Sequence, residues 1–115
     1  DIDQAFATGP VAIDVEWFAN TGDLARLFQL MRGECDPRVF AIMAINQSAP
    51  AGVAGKWDYI GYKGGSEPGI LNLTWLLRDR AGRDRMLSLS WANPDAPLEE
   101  STLELIAQRI LSLPQ

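Results

Sequence analysis

Histidine is absent from the 115 residues of this sequence, and cysteine occurs once. Without histidine, the usual zinc and iron ligand sets and every Ser-His or Cys-His catalytic pair are excluded. Cys35 has no partner for an internal disulfide and is expected to be a small apolar packing residue. Any chemistry must therefore use lysine, serine, tyrosine or carboxylates, and neither a metal site nor a cofactor is expected.

Positive charge and long apolar runs are also scarce. Lysine and arginine total 10 against 15 acidic residues, a net charge of −5, so no nucleic-acid partner is expected. The longest apolar run, residues 39–45, is far below the roughly 20 residues needed to cross a bilayer, so no membrane span is expected. A composition of 47% hydrophobic and 22% charged residues predicts a packed globular core, and residues 1–115 are long enough for one domain.

The first 20 residues carry few signals. The chain begins with Asp1, and the next residues have neither the positive charge nor the apolar run of a signal peptide, so we expect a processed or truncated product. Val11, Ile13 and Val15 alternate with more polar residues, which indicates a short extended stretch.

Two helices are predicted after this stretch. Asn20 to Asp23 offers an N-cap and an acid in the first turn, and apolar residues then recur with helical spacing over residues 21–32. Asp36 followed by Pro37 gives a second helix start, and the helix over residues 37–46 is apolar on nearly every side. Such a helix is expected to be buried on every side. Residues 47–55 are rich in proline and glycine and are predicted to form a loop.

The second half of the chain changes to strand periodicity. A strand is predicted over residues 57–63, a glycine-rich break over residues 64–69, and two further strands over residues 70–78 and 85–92 that flank a turn. Alternating leucines and tryptophans give these two strands an apolar face. A final helix over residues 98–111, with Leu103, Ile106, Ala107, Ile110 and Leu111 on one side, should lie across the sheet. The predicted class is α+β, an antiparallel three-stranded meander with a C-terminal helix on it and two helices before it.

One segment is hard to explain by packing alone. Lys63 is followed by Gly64, Gly65 and Ser66. A lysine beside two glycines and a hydroxyl leaves backbone amides and a positive charge at a strand edge, where a substrate backbone or an oxyanion can approach. The structural alternative is a glycine-rich bulge that closes a turn, with Lys63 solvated.

With its flanks, this segment resembles the C-terminal part of the serine β-lactamases and penicillin-recognising hydrolases, in which a strand ends in Lys-Thr/Ser-Gly-Thr/Ser. Two more antiparallel strands and a final helix follow that motif. The corresponding parts of this chain are the motif strand 57–63, the motif Lys63-Gly64-Gly65-Ser66, the strands 69–78 and 85–92, and the helix 98–111. Including the two preceding helices, the resemblance covers the chain from about Asn20 onward.

The resemblance implies a role for each motif residue. Lys63 would supply positive charge to the substrate carboxylate and to the proton network around the nucleophile, and the Ser66 N–H would be one oxyanion-hole donor. Gly65 would allow close backbone approach, and Gly64 would leave the edge unusually open. Glu67 could shape the rim, or be a solvated loop acid.

The sequence also departs from this family. No serine is followed three residues later by lysine, so the Ser-x-x-Lys nucleophile motif is absent, and so are Ser/Tyr-x-Asn and a candidate deacylating glutamate. Gly64 stands where the family has threonine or serine, which removes a hydroxyl that helps to hold the substrate carboxylate. The chain is therefore expected to be the C-terminal portion of a hydrolase of β-lactam, amide or ester substrates, and to be inactive alone.

Two classes of function remain open. In the first, the partner is the N-terminal half with the nucleophile, the substrate is a small acyl compound, and the family resemblance implies a periplasmic or secreted location. In the second, the chain is a binding or assembly module that pairs through an exposed strand edge, either with another chain or with a second copy as a homodimer, swapped or not. Both predict exposed apolar surface.

Overall fold

The computed structural model describes residues 18–93 and 95–114, and they form an α+β fold. In chain order the elements are helices α1 (Thr21–Glu34), α2 (Arg38–Met43) and α3 (Ala51–Ala54), strands β1 (Tyr59–Glu67), β2 (Ile70–Arg78) and β3 (Asp84–Ala92), and helix α4 (Glu100–Leu111). The predicted antiparallel meander, terminal helix and preceding helices are confirmed. The extended stretch predicted around Ile13 lies outside the described residues.

Helix α1 begins where its capping signal predicts. The Asn20 side chain accepts a hydrogen bond from the Asp23 N–H, and the Asp23 carboxylate accepts one from the Asn20 N–H, both at 3.0 Å. This reciprocal box satisfies two N–H groups at the helix start. The helix ends at Glu34, and the capping residue after it, Cys35, is exposed. The prediction that Cys35 is a buried packing residue is therefore wrong.

Helix α2 is shorter and more exposed than its sequence predicts. It covers Arg38–Met43, and none of its residues is fully buried. The side chains of Ile42 and, just beyond the helix, Ile45 are 65% and 81% exposed. The prediction of burial on every side is wrong because, among the described residues, α2 contacts the sheet along one side only.

The strands pair in the order β1-β2-β3. The predicted break after Lys63 is also wrong, because β1 continues to Glu67, which lies opposite Ile70. Pro68 and Gly69 alone connect the two strands, and Gly69 has a φ of 79°, a conformation that glycine adopts without steric cost.

The β2–β3 turn is organised by one carboxylate. Asp79 is 1% exposed, and its Oδ1 accepts hydrogen bonds from the N–H groups of Ala81 and Arg83 at 3.0 and 2.9 Å. Its Oδ2 accepts a hydrogen bond from Arg83 Nε at 2.7 Å and lies 3.5 Å from Arg85 Nε. Burial alone would raise the pKa of Asp79, but the hydrogen bonds and charge of Arg83 hold that pKa below its ordinary value.

The main hydrophobic core lies between one sheet face and α4. The alternation along β2 places its apolar side chains on this face, and α4 covers them with every third or fourth residue. The buried members are Ile60, Leu71, Leu73, Trp75, Leu77, Leu103, Ala107 and Leu111. Ile106 and Ile110, predicted for the same stripe, are 47% and 39% exposed. The packed stripe is therefore narrower than predicted.

Residues before β1 complete this core. The predicted loop over residues 47–55 contains the short helix α3, and Val53 and Ala54 pack against the core cluster. The Trp57 indole N–H donates to the Leu111 carbonyl at 3.2 Å, which ties this segment to the end of α4. The first strand begins at Tyr59, two residues later than predicted.

The opposite sheet face packs against α1 and α2. Phe40 of α2 meets the ring of Tyr59 edge to face, with centroids 6.4 Å apart. Arg32 of α1 forms an ion pair with Asp84 of β3, and the buried Leu76 lies on this face of β2. The helices therefore sit on both faces of the sheet, but none of the described strands covers the outer edge of β1.

Replacing the turn carboxylate should destabilise the fold. Asp79→Asn removes the charge that pairs with Arg83, so we expect thermal unfolding at pH 7 to shift down by several degrees, and Asp36→Asn, at an exposed ion pair, to shift it much less. Because the folded pKa is lowered, the stabilisation by Asp79 is complete above the unfolded value of about 3.9 and disappears as the pH falls through the folded pKa. The two midpoints should converge as the pH falls through the folded pKa of Asp79. An equal difference at every pH would contradict this role.

Candidate functional site

The Lys-Gly-Gly-Ser segment is continuous strand. Lys63 lies opposite Thr74, Gly65 opposite Asn72, and Ser66 opposite Leu71. The segment is thus neither a bulge nor a turn, and its backbone is held straight by β2.

One hydrogen bond just before β2 shows which residues of β2 bond to β3 and which bond to β1; we call this alternation the phase of the ladder. The Asn93 N–H donates to the Gly69 carbonyl at 2.7 Å, in register with the β2–β3 pairing. Hydrogen-bonded positions alternate along an antiparallel strand. Odd-numbered residues of β2 therefore bond to β3, and even-numbered residues, including Asn72 and Thr74, bond to β1.

This phase determines which motif amides face outward. Lys63 and Gly65 lie opposite even-numbered residues, so their N–H and C=O groups bond to β2. Those of Gly64 and Ser66 point to the outer edge of β1. The Lys63 ammonium donates to the Gly64 carbonyl, which fits this direction. The Ser66 N–H therefore lies at the same edge as the lysine charge.

This outer edge borders a groove of about 470 Å³. The groove contains the four motif residues together with residues from α2, from the segment after it, from β2 and from the first turns of α4. Its lining consists of Ile42, Met43, Asn46, Tyr62, Lys63, Gly64, Gly65, Ser66, Leu71, Leu73, Glu100 and Glu104. Glu67 is exposed at the end of β1 and is not part of this lining.

The motif side chains leave the strand on opposite faces. Side chains alternate along β1, so Lys63 and Ser66 point away from each other, and both are exposed. The flexible lysine returns to the edge through its contact with the Gly64 carbonyl. The lysine ammonium and the serine N–H therefore share the outer edge of β1, whereas the two side chains do not share a face.

Gly64 is explained by the tyrosine two residues before it. A Cβ at Gly64 would lie 2.8 Å from Cζ of Tyr62 and closer still to its hydroxyl oxygen. The Tyr62 ring extends along the strand over Gly64 and packs on Trp75, with centroids 5.0 Å apart. The Tyr62 ring therefore covers this face of the strand at Gly64. For Gly65, by contrast, no atom of the described residues outside its neighbours lies within 4 Å of a Cβ.

The same arrangement occurs on the other face of β1. The Tyr59 ring covers Gly61, and the Tyr59 hydroxyl donates to the Phe40 carbonyl at 2.9 Å. Here the hydroxyl joins β1 to α2. The Tyr62 hydroxyl instead lies over Gly64, and both residues line the groove.

Two acidic residues of α4 also line the groove. Glu100 and Glu104 are one helical turn apart at the start of α4, and both lie near Tyr62. Burial raises the pKa of Tyr62 above its ordinary value, a hydrogen bond with Ser48 opposes the rise, and the two glutamates add to it. The Tyr62 phenol is therefore neutral at physiological pH.

A bent loop positions Ser48 beside this tyrosine. Ser48 has a φ of 45°, and its N–H donates to the Asn46 side chain at 3.2 Å. The Trp75 indole N–H donates to the Gln47 carbonyl at 2.9 Å and anchors the loop to the sheet. A non-glycine residue in this left-handed backbone conformation costs about 1–2 kcal/mol of conformational energy, so the surrounding contacts must hold the loop in place.

Polar side chains continue from Lys63 across the sheet. Thr74, the cross-strand neighbour of Lys63, is 2% exposed and hydrogen-bonds to Asn72 and Ser88 at 2.9 and 2.8 Å. Asn72 also donates to Ser90 at 2.7 Å. These hydrogen bonds satisfy the side chains of Thr74 and Asn72 without using the Lys63 ammonium.

Sequence reasoning missed several groove residues. The signal that could have found Tyr62 is the repeated Tyr-x-Gly spacing at Tyr59 and Tyr62. Glu100 and Glu104 gave no signal, because each looks like any exposed acid in the first turns of a helix.

Comparisons with known proteins do not assign this chain to a family. Neither protein-family models nor curated proteins match this chain. No helix in residues 18–93 and 95–114 is long and apolar enough to cross a membrane. The same residues contain no group of three or more cysteine, aspartate or glutamate side chains arranged to hold a metal ion.

The two glycines should respond differently to a methyl group. Gly64→Ala should destabilise the protein by about 1–3 kcal/mol, because Tyr62 must leave its position on Trp75. Gly65→Ala should be close to neutral. Chemical denaturation measures both values, and combining Gly64→Ala with Tyr62→Ala should remove most of the extra cost of the alanine. Equal effects of the two alanines would contradict the packing of Tyr62 over Gly64.

Proposed function

We propose that this chain is the C-terminal part of a serine β-lactamase-like hydrolase and forms one wall of its acyl-transfer cleft. One observation carries the proposal: the Ser66 N–H faces the open edge of β1, beside the Lys63 ammonium, in a groove large enough for a small acyl compound. A hydrogen-bond donor and a cation at one edge are what a developing oxyanion requires.

The chemistry divides between two parts of the parent protein. The nucleophilic serine belongs to the N-terminal half and attacks the acyl carbonyl of a β-lactam, amide or ester. The Ser66 N–H donates to the oxygen that becomes negative, and the serine's own N–H is the second donor. Lys63 stabilises the substrate carboxylate and the proton network around the serine. This division requires the chain alone to be inactive.

Exposed apolar residues support a covering partner. Ile42 and Ile45, at and just beyond the end of α2, are both more than half exposed. Ile42 also lines the groove, so the apolar surface is continuous with the proposed cleft. Apolar residues grouped in this way are typical of an interface, and we assign this one to the N-terminal half. By analogy with the family, the parent would be periplasmic or secreted.

The open edge of β1 supports a second candidate. An assembly module could add a strand there from a second copy and form a homodimer. Native mass spectrometry of the purified chain separates the two candidates. A stable homodimer would favour the assembly module, and co-purification with the upstream polypeptide of the same gene would favour the hydrolase.

The isolated chain should give no burst of nitrophenol from p-nitrophenyl acetate, whereas the full parent protein should give one and retain an acetyl group on a serine outside these 115 residues.

In the parent, Lys63→Met should lower the acylation rate by about a hundredfold or more. Lys56→Met, at the chain's other lysine, is the matched control. A parent without a Ser-x-x-Lys sequence, or a burst from the isolated chain, would contradict the proposal.

A further inference from the structure

The Tyr62 hydroxyl occupies the space in which a side chain at position 64 would lie. The ring reaches over Gly64 on the groove side of β1, and Trp75 supports the ring from below. The glycine and the tyrosine therefore form one unit, in which position 64 provides the space and position 62 provides the functional group.

This hydroxyl is chemically available. The phenol is neutral at physiological pH, as an unperturbed tyrosine already is, and burial raises the pKa of Tyr62 further. A phenol has one donor and two acceptor sites, so its bond with Ser48 leaves capacity for a second partner. The Tyr59 hydroxyl, on the opposite face, already donates to Phe40.

We propose that the Tyr62 hydroxyl binds a substrate carboxylate together with Lys63, and thereby sets the specificity of the groove. This inference rests on the proposed function and names the residue that replaces the hydroxyl missing at position 64. Lys63 and Tyr62 approach Gly64 from different sides, the ammonium at its carbonyl and the phenol over its Cα. Glu100 and Glu104 act electrostatically on Tyr62, so the Lys63 charge must offset their repulsion of a bound carboxylate.

The test uses the 115-residue chain and two probes that differ in one charge. N-acetylglycine carries an acyl group and a carboxylate, and N-acetylglycinamide replaces the carboxylate with a neutral amide. Binding is followed by NMR through the amide signals of Gly64 and Ser66. We expect N-acetylglycine to bind more tightly than the amide, and Lys63→Met to abolish the difference.

Tyr62→Phe removes only the hydroxyl and should weaken N-acetylglycine binding by about tenfold, as for other hydrogen bonds to charged groups. Tyr59→Phe, the matched control on the other face, should bind within about twofold of the unmodified chain. The double variant Tyr62→Val/Gly64→Thr returns a hydroxyl to position 64 and should recover most of the affinity.

The outcomes distinguish the role of Tyr62 from the existence of a carboxylate site at Lys63. If Lys63→Met loses binding and Tyr62→Phe does not, the assignment of Tyr62 is overturned while the role of Lys63 stands. If the unmodified chain does not bind N-acetylglycine, or binds the amide equally well, the carboxylate site is overturned together with the part of the proposed function that depends on it. A tenfold loss in Tyr59→Phe as well would show an effect of folding and would overturn the specific role of Tyr62.

Discussion

The pairing of β1 with β2 is the interaction on which the rest of the site depends. It carries the strand through two glycines that would otherwise favour a turn, and it binds the backbone of Lys63 and Gly65. Because β2 uses those groups, the backbone of Gly64 and Ser66 is left at the outer edge. The groove, its lysine and its amide donors all follow from this phase, and a slip of one residue would exchange the two sets.

The two tyrosines of β1 show how one local pattern serves two purposes. Each ring covers a glycine two residues later, and this contact replaces the side-chain packing that a strand glycine lacks. On one face the Tyr59 hydroxyl joins the sheet to α2. On the other, the Tyr62 hydroxyl lies over Gly64, in a groove that Lys63, Glu100 and Glu104 also line. The position of the strand in the sheet, and not the pattern itself, decides which purpose each tyrosine has.

The sequence predicted the sheet and α4 because their periodicity directly reflects burial. The alternation along β2 places Trp75 in the core, and helical spacing does the same for Leu103 and Ala107. The prediction from sequence failed for the burial of α2 and for the backbone at Gly64, and the reason is different. An apolar run does not reveal which surface covers it, and a Gly-Gly pair does not reveal that a neighbouring strand will hold it extended. Both depend on contacts between residues distant in the chain.

Hydrogen exchange at the four motif amides tests the central claim most directly. After correction for intrinsic rates, we expect the amides of Gly64 and Ser66 to exchange at least about tenfold faster than those of Lys63 and Gly65, because only the latter two bond to β2. Measurement of residue-specific exchange by NMR at neutral pH would show this alternation. Equal protection at all four amides, or the opposite alternation, would mean that the Ser66 N–H is not available in the groove.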